Sequence, residues 1–324
     1  MSDLIFHVYK DDEVKAHNLT VNELETLIDS KKVKLGEDEI IALELSKNTD
    51  GSYWQRAYIQ GMISLNHWEF FMAKGFKVQA ATPTAPVDDF DIEACREDIR
   101  GKKIVFCLPG RGCSYTFLKN FVQLCFDLVQ AGAGIQISQD YSSMVNFARC
   151  KVLGANVLRG KNQIPWDGKL EYDYQLWIDN DIVFNTESFW RLYQLGMEKE
   201  IAAGWYATED GHTTSVAHWL DEESFKANRG VMNHETVETI SKKRKPFTVD
   251  YTGFGWVLIK KGVFESLEYP WFAPQMQVFE SGEVQDMCGE DVSFCLDAKK
   301  QGLEIWCDPK IRVGHEKTRI IWGL

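Results

Sequence analysis

The sequence predicts an α/β protein with a mostly parallel sheet flanked by helices, preceded by a small α+β domain. Apolar strand patterns alternate with amphipathic helix patterns from about residue 100 onward, beginning with 103–108, 116–130 and 134–138. Alternation of this kind is typical of parallel sheets covered by helices on both faces. A stretch with two prolines, small residues and then acids, 80–89, comes before the alternation and indicates a linker.

The composition narrows the class of protein. The chain has 324 residues, 44% of them hydrophobic, and a formal net charge of −12. An acidic chain is a poor nucleic-acid binder, because such binding needs a basic surface, so no nucleic-acid partner is expected. No apolar run approaches the ~20 residues that span a bilayer, and the N-terminus lacks the apolar core of a secretory signal. The eight cysteines form no Cys-x-x-Cys pair, so reduced thiols and a cytoplasmic protein are expected.

Residues 1–80 are predicted to form the α+β domain, and 81–99 the linker. Strand patterns occur at Leu4–Val8 and Ile40–Leu45. A capping-box pattern at Thr20–Glu23 begins one helix, and Tyr53–Ala73 has the spacing of a long second helix. The segment has no catalytic pattern, so its expected role is an accessory one, with a protein partner as the natural candidate.

Residues 100–324 are predicted to form the main domain. In the helix at 116–130, Phe117, Phe121 and Leu124 recur at helical spacing, which predicts one buried face. The polar stretch 208–250 has no clear periodicity and is interpreted as a long loop, typical of a lid or an acceptor-binding element. The remaining predicted elements are strands at 174–178, 201–207, 251–259 and 303–307, and helices at 142–153, 186–197, 262–267 and 290–300.

The triplet Asp179-Asn180-Asp181 directly follows the apolar strand 174–178. In an open α/β sheet, ligands bind beyond the carboxyl ends of the strands. Hard divalent cations favour carboxylate oxygens there, together with phosphates of a substrate. The triplet therefore indicates a nucleotide diphosphate bound through a metal. A solvated turn at the end of the strand is the alternative interpretation.

Other segments add polar groups in a defined order. The loop Pro109–Gly112 follows the first strand of the main domain, and its glycines allow backbone N–H groups to approach a ligand. Arg149 lies in the second helix of that domain. Glu290 and Asp291 begin a late helix, where the helix dipole keeps carboxylates ionised and able to accept a proton. His315 follows the last strand, and an imidazole together with carboxylates favours Mn²⁺ over Mg²⁺.

Taken together, this ordered set resembles the GT-A fold glycosyltransferases, especially their inverting, nucleotide-sugar-dependent members. The resemblance covers about residues 100–324, roughly two thirds of the chain. Cys150 departs from the asparagine that is frequent in the corresponding Ala-Arg-Asn motif. The matching segments are Val105–Gly112, Ala148–Cys150, Asp179–Asp181, Thr252–Gly255, and Gly289–Asp291 followed by His315.

The resemblance implies a role for each matching residue. Asp291 would be the general base, with Glu290 as its neighbour or substitute. Asp181 and His315 would bind Mn²⁺ or Mg²⁺, and Asp179 would contact the metal or the donor sugar. The donor nucleotide and sugar would be bound by Pro109, Gly110, Arg111, Gly112, Arg149, Asp179, Asn180, Gly253 and Trp256, with Trp256 offering its ring face to a sugar.

The expected activity is therefore transfer of a hexose from a UDP-sugar, by default UDP-glucose, to the hydroxyl of a glycan or another acceptor, with inversion. Three alternatives stay open from the sequence. A retaining transferase would need no base at Asp291. A GT-A-like nucleotidyltransferase would carry a longer glycine-rich loop with a lysine, which 109–114 lacks. A non-catalytic, metal-dependent carbohydrate-binding protein would bind free glycan without a nucleotide.

Overall fold

The computed structural model describes residues 5–10, 13–19, 39–44, 80–81 and 89–317, with side chains over 89–317. The chain divides into two compact units, Met1–Asp89 and Phe90–Leu324. No helix among the described residues is long and apolar enough to cross a membrane.

The first unit contains a four-stranded sheet. Strand β1 is central and antiparallel to both β2 and β3, while β4 adds to β3 in parallel. The two strands predicted in this region correspond to β1 and β3. The predicted helices beginning near Thr20 and at Tyr53–Ala73 lie outside the described residues. The strands are β1 (Ile5–Lys10), β2 (Glu13–Leu19), β3 (Glu39–Glu44) and β4 (Ala80–Ala81).

A helix stands where the sequence predicts the second half of the linker. Helix α1 (Ile92–Asp98) begins after Asp91, whose carboxylate accepts a hydrogen bond from the Ala94 N–H at 3.0 Å. Cys95 and Ile99 of this segment are fully buried. Residues 90–99 therefore belong to the packed second unit. A helix of seven residues gives too short an apolar pattern to be recognised beside the acidic residues that surround it.

The second unit is built on a seven-stranded sheet. Its strands are β5 (Lys103–Pro109), β6 (Gly134–Asp140), β7 (Tyr174–Ile178), β9 (Ile201–Trp205), β12 (Phe247–Val249), β14 (Trp256–Lys260) and β17 (Ile305–Arg312). Their order across the sheet is β12-β17-β9-β14-β7-β5-β6. Five strands point in one direction, while β12 and β14 run antiparallel to their neighbours. The predicted α/β class, with a mostly parallel sheet, is confirmed.

Helices cover both faces of this sheet. Successive side chains of a strand point to opposite faces, so Ile104 and Phe106 of β5 pack with one layer, and Val105 and Cys107 with the other. The first layer contains α1, α2 (Tyr115–Gln130) and α4 (Thr186–Glu198). The second contains α3 (Val145–Val152), α6 (Val237–Lys242), α7 (Val263–Ser266) and α8 (Glu290–Lys300).

The stretch 208–250 is regular, contrary to the predicted long loop. It contains β10 (Thr213–His218), α5 (Glu222–Ala227), β11 (Asn233–Thr236), α6 and β12. Each of these elements has only three to six residues, which is shorter than the window in which periodicity is visible. Tertiary contacts fix the structure of these short elements: β10 pairs with β11 and with β13 (Tyr251–Thr252), and β12 pairs with β17.

The strand predicted at 251–259 is divided in two. Its first part is β13, which pairs with β10, and its second part is β14 in the central sheet. Four short strands that pair with one another were not predicted from the sequence, again because they are short. Two form the hairpin β15 (Gln275–Val278) and β16 (Gln285–Cys288), and β8 (Ile182–Val183) pairs with β18 (Gly314–His315).

Candidate active site

Most of the predicted site residues lie at one edge of the central sheet. Strands β5, β7, β9 and β17 point in the same direction and end at this edge, whereas the antiparallel β14 begins there. The loop after β5, the triplet after β7 and His315 after β17 are thereby brought to the same side. Pairing of β18 with β8 sets His315 opposite Ile182, next to Asp181.

Arg149 lies beneath this edge, on α3, with only 3% of its surface exposed. Its Nη1 and Nη2 donate to the two carboxylate oxygens of Asp179 at 3.0 and 3.1 Å, and its Nε donates to Glu290 Oε1 at 3.3 Å. The guanidinium also lies over the ring of Phe254, 5.3 Å from its centroid. Bidentate pairing with a carboxylate fixes both partners in orientation as well as in distance.

The charge of Arg149 is maintained by these partners. Burial by itself lowers the pKa of the guanidinium, but the negative charges of Asp179, Glu290 and Asp291 outweigh burial and raise the pKa. Arg149 therefore holds carboxylates in position, whereas the family resemblance implies that it contacts the base or diphosphate. The predicted metal ligand Asp179 likewise has both oxygens bound to Arg149.

Asp181 and His315 come together as predicted. His315 Nε2 lies 3.1 Å from Asp181 Oδ2, and its Nδ1 lies 3.1 Å from the carbonyl oxygen of Ala207. A carbonyl oxygen only accepts, so Nδ1 carries the hydrogen. In the neutral ring, Nε2 then presents a lone pair to a carboxylate oxygen. Two acceptors at this distance require a proton or a cation between them.

A positively charged side chain already contacts the Asp181 carboxylate. The ammonium group of Lys317 donates to Asp181 Oδ2 at 2.9 Å. The donor set of Asp181 and His315 fits a divalent ion with the rest of its ligands from phosphate oxygens and water. Within the described residues, no three His, Cys, Asp or Glu side chains are grouped so that they could hold a metal.

Asp291 is partly buried in the first turn of α8. Its Oδ2 accepts a hydrogen bond from the Tyr251 hydroxyl at 2.9 Å, and its Oδ1 accepts one from the Val292 N–H at 2.8 Å. Burial and the neighbouring charge of Glu290 raise the pKa of Asp291, against the opposing effects of Arg149 and Tyr251. A raised pKa makes this carboxylate a stronger base, as proton abstraction requires.

The loop after β5 forms one wall of a surface pocket of about 380 Å³. Asn180, the middle residue of the triplet, donates from Nδ2 to the Gly112 carbonyl oxygen at 2.6 Å and also lines this pocket. Arg111 is exposed, with its guanidinium 4.1 Å from the centroid of the Tyr141 ring. Pro109, Gly110, Arg111, Gly112 and Asn180 are therefore brought together, as predicted for a nucleotide pocket.

The glycine-rich segment contributes space for packing. A Cβ at Gly253 would lie 2.5 Å from the Tyr206 hydroxyl oxygen, and one at Gly255 would lie 2.7 Å from Tyr206 Cε1. Only glycine at both positions lets Tyr206 pack here. The prediction that Trp256 faces a sugar is wrong: Trp256 is fully buried and stacks on Phe184 at 4.6 Å. It is the first residue of a central strand, and its side chain points into the core.

Sequence reasoning missed several residues of this site. Tyr251, whose hydroxyl donates to Asp291, directly precedes the glycine-rich segment Thr252–Gly255, and its position there could have indicated it. Tyr206, which packs against the glycines, lies in a segment with no recognisable catalytic motif. Lys317 follows His315 by two residues, and this spacing on an extended segment could have indicated that both side chains face one way.

No protein-family model matches the chain, and no curated protein matches it. Among solved structures, A197 from STIV is similar with a TM-score of 0.38 and 15% identity, over 69% of this chain and 98% of that protein. GalNAc-T7, solved with UDP, GalNAc and Mn²⁺, is similar with a TM-score of 0.39 and 10% identity. That match covers 67% of this chain and 43% of the GalNAc-T7 chain. Since both scores are below 0.5, we infer function from this chain's own side chains.

We expect Arg149→Met to lower the free energy of unfolding by about 3–5 kcal/mol, because the substitution leaves the carboxylates of Asp179 and Glu290 without their buried partner. Urea denaturation followed by tryptophan fluorescence measures this change. The matched control, Arg111→Met, removes an exposed arginine and should change stability by no more than about 0.5 kcal/mol. Equal small effects of the two substitutions would show that Arg149 does not hold the site together.

The raised pKa of Asp291 predicts a dependence of stability on pH. The pKa of Asp291 in the native state lies above its pKa in the unfolded chain (~3.9). Between these two pKa values the native state binds a proton that the unfolded state has lost. The free energy of unfolding therefore falls as the pH rises from the unfolded pKa through the native pKa. Asparagine cannot ionise and escapes this loss. Asp291→Asn should therefore gain stability relative to the parent protein as the pH rises above about 4, in urea titrations at each pH. A relative loss of stability over the same range would contradict the assignment.

Proposed function

We propose that this protein is a glycosyltransferase that moves a hexose from a UDP-sugar to an acceptor hydroxyl with inversion. One observation carries the proposal. The guanidinium of Arg149 joins Asp179, at the start of the Asp-x-Asp triplet, to Glu290, the neighbour of Asp291. A candidate metal and diphosphate site and a candidate general base therefore share one edge of the sheet. Inverting transfer needs both groups.

The donor would lie against the loop after β5 and the triplet after β7. Asn180 and the segment Pro109–Gly112 line a pocket there, and the exposed guanidinium of Arg111 supplies positive charge for an anionic nucleotide. UDP-glucose is the default donor. Asp179 then acts through its bond to Arg149, as a residue that positions the site, rather than as a ligand of the metal.

Asp181 and His315 would hold a Mn²⁺ or Mg²⁺ ion. When bound, such an ion neutralises charge on the diphosphate and so makes it a better leaving group. His315 is fixed for this task by its hydrogen bond to the Ala207 carbonyl, which leaves Nε2 directed toward Asp181. Lys317 would have to leave the oxygen of Asp181 or remain as a second positive charge at the same site.

Asp291 would accept the proton of the acceptor hydroxyl as that oxygen attacks the anomeric carbon. Tyr251 orients its carboxylate, and burial keeps the carboxylate basic. Glu290 is bound to Arg149, so we assign it a positioning role rather than that of a substitute base. A retaining transferase would not need a basic carboxylate at position 291. The raised pKa of Asp291 therefore favours inversion.

The donor site is tested by a thermal-shift screen of nucleotide sugars with and without Mn²⁺. We expect one UDP-sugar to stabilise the protein only when Mn²⁺ is present, by about 2.7 kcal/mol at 100 times its Kd. Asp181→Ala should remove the Mn²⁺-dependent part of the shift, while Asp167→Ala, at an exposed acid in the segment before β7, should not. A shift with free glycan and none with any nucleotide would instead indicate a carbohydrate-binding protein.

The base is tested by Asp291→Asn. The variant should bind the UDP-sugar as the parent protein does but lose transfer by at least about 100-fold, because the acceptor proton has no base to accept it. Product formation is measured with saturating donor. Asp297→Asn changes another acid six residues further along the same helix and should retain activity. Normal transfer by Asp291→Asn would favour a retaining mechanism.

A further inference from the structure

A second pocket lies beside the helix that carries Asp291. It encloses about 480 Å³, including its open mouth, between the segment 219–232 and the β15–β16 hairpin. Most of its lining is apolar, and Gln277 and Asp286 are the main polar side chains in it. The apolar lining includes Trp219, Phe225, Met232, Phe279 and Met287.

The two walls of this pocket are fastened to each other. The rings of Phe225 and Phe279 lie 4.8 Å apart between centroids. At the turn of the hairpin, the Ser281 N–H and hydroxyl donate to the two carboxylate oxygens of Glu222, at 3.1 and 2.6 Å. The pocket is therefore preformed, and a ligand that enters it does not have to order its walls.

The pocket reaches the base through Gly289. This residue lines the pocket and connects the hairpin to helix α8. A Cβ at Gly289 would lie 3.4 Å from Asp291 Oδ1, so this part of the pocket lining is within van der Waals distance of the carboxylate. The backbone φ of Gly289 is −62°, which any residue can adopt. The pocket therefore ends next to the candidate base.

We propose that this pocket binds the apolar part of the acceptor, so that the acceptor hydroxyl is carried on, or next to, an aromatic or alkyl group. This inference rests on the proposed function. A free glycan would bring many hydroxyl groups into a lining with few polar partners, and each unpaired group would weaken binding. Aromatic and thioether side chains instead favour an apolar ring or chain.

The chemical step is the same displacement. The acceptor oxygen forms a bond to the anomeric carbon, and the bond from that carbon to the diphosphate oxygen breaks, with its electron pair leaving on UDP. The hydroxyl proton passes to the carboxylate of Asp291. The apolar pocket takes no part in bond making; it selects which hydroxyl lies near the base.

Phenyl β-glucoside and methyl β-glucoside test the proposal, because they carry the same sugar hydroxyls and differ in the apolar group. We expect the phenyl compound to bind at least about tenfold more tightly, by titration calorimetry, and to be the better acceptor by a similar factor in kcat/KM. Equal binding and equal use of the two glucosides would overturn the proposal.

Two matched pairs of variants locate the binding. Gln277→Trp fills the pocket, whereas Met276→Trp changes the adjacent residue of the same strand, which points to the other face of the hairpin and does not line the pocket. Neither Gln277 nor Met276 is buried, so both variants should fold. Met232→Trp also fills the pocket, and Val231→Trp is its exposed neighbour. Only the substitutions at 277 and 232 should weaken phenyl glucoside binding, by about tenfold or more.

The donor measurement separates this proposal from the proposed function. Binding of UDP-glucose with Mn²⁺ should be the same in all four variants, since none of them changes the donor pocket. A protein that binds the donor but treats both glucosides alike retains the proposed function and loses the apolar acceptor pocket. A protein that binds phenyl glucoside next to Gln277 and Met232 but binds no nucleotide sugar loses the acceptor role together with the proposed function.

Discussion

The buried charge of Arg149 is the constraint on which the rest of the site depends. Asp179 and Glu290 are 30 and 141 residues away in sequence, yet both bind the same guanidinium. A charge with 3% exposure is stable only when its partners are in place, so the end of β7, helix α3 and the start of α8 must dock together. The shape of the site is therefore set by folding, before any ligand binds.

This arrangement divides the carboxylates between two kinds of work. Asp179 and Glu290 neutralise Arg149 and are held still by it. Asp181 contacts His315 and Lys317 at the candidate metal site. Asp291 accepts a hydrogen bond from Tyr251, and the pKa of Asp291 is raised. Acidic groups in close proximity repel each other. Asp179 and Glu290 are compensated together by Arg149, and Asp181 by Lys317, whereas the charge of Glu290 still raises the pKa of Asp291.

The fold class could be predicted from the sequence because long buried strands and amphipathic helices leave a strong periodic pattern. The strand at 174–178 has the predicted bounds in the structure. The stretch 208–250 and the hairpin at 275–288 could not be predicted, because their short elements lack the strongly apolar run of β7 and are specified by the partners with which they pair. The direction of β14 was likewise hidden, since its apolar pattern is the same whether it runs parallel or antiparallel.

By itself the sequence determined which residue types are available and where strands end, and this was enough to bring Asp181, Asn180 and the loop 109–112 together at the end of parallel strands. Tertiary structure alone decided how each side chain is used. In the folded protein the Trp256 ring packs in the core, Asp179 pairs with Arg149, and the Tyr251 hydroxyl donates a hydrogen bond to Asp291. The physical reason is that burial and pairing depend on contacts between segments far apart in the chain, which local periodicity and motif spacing do not record.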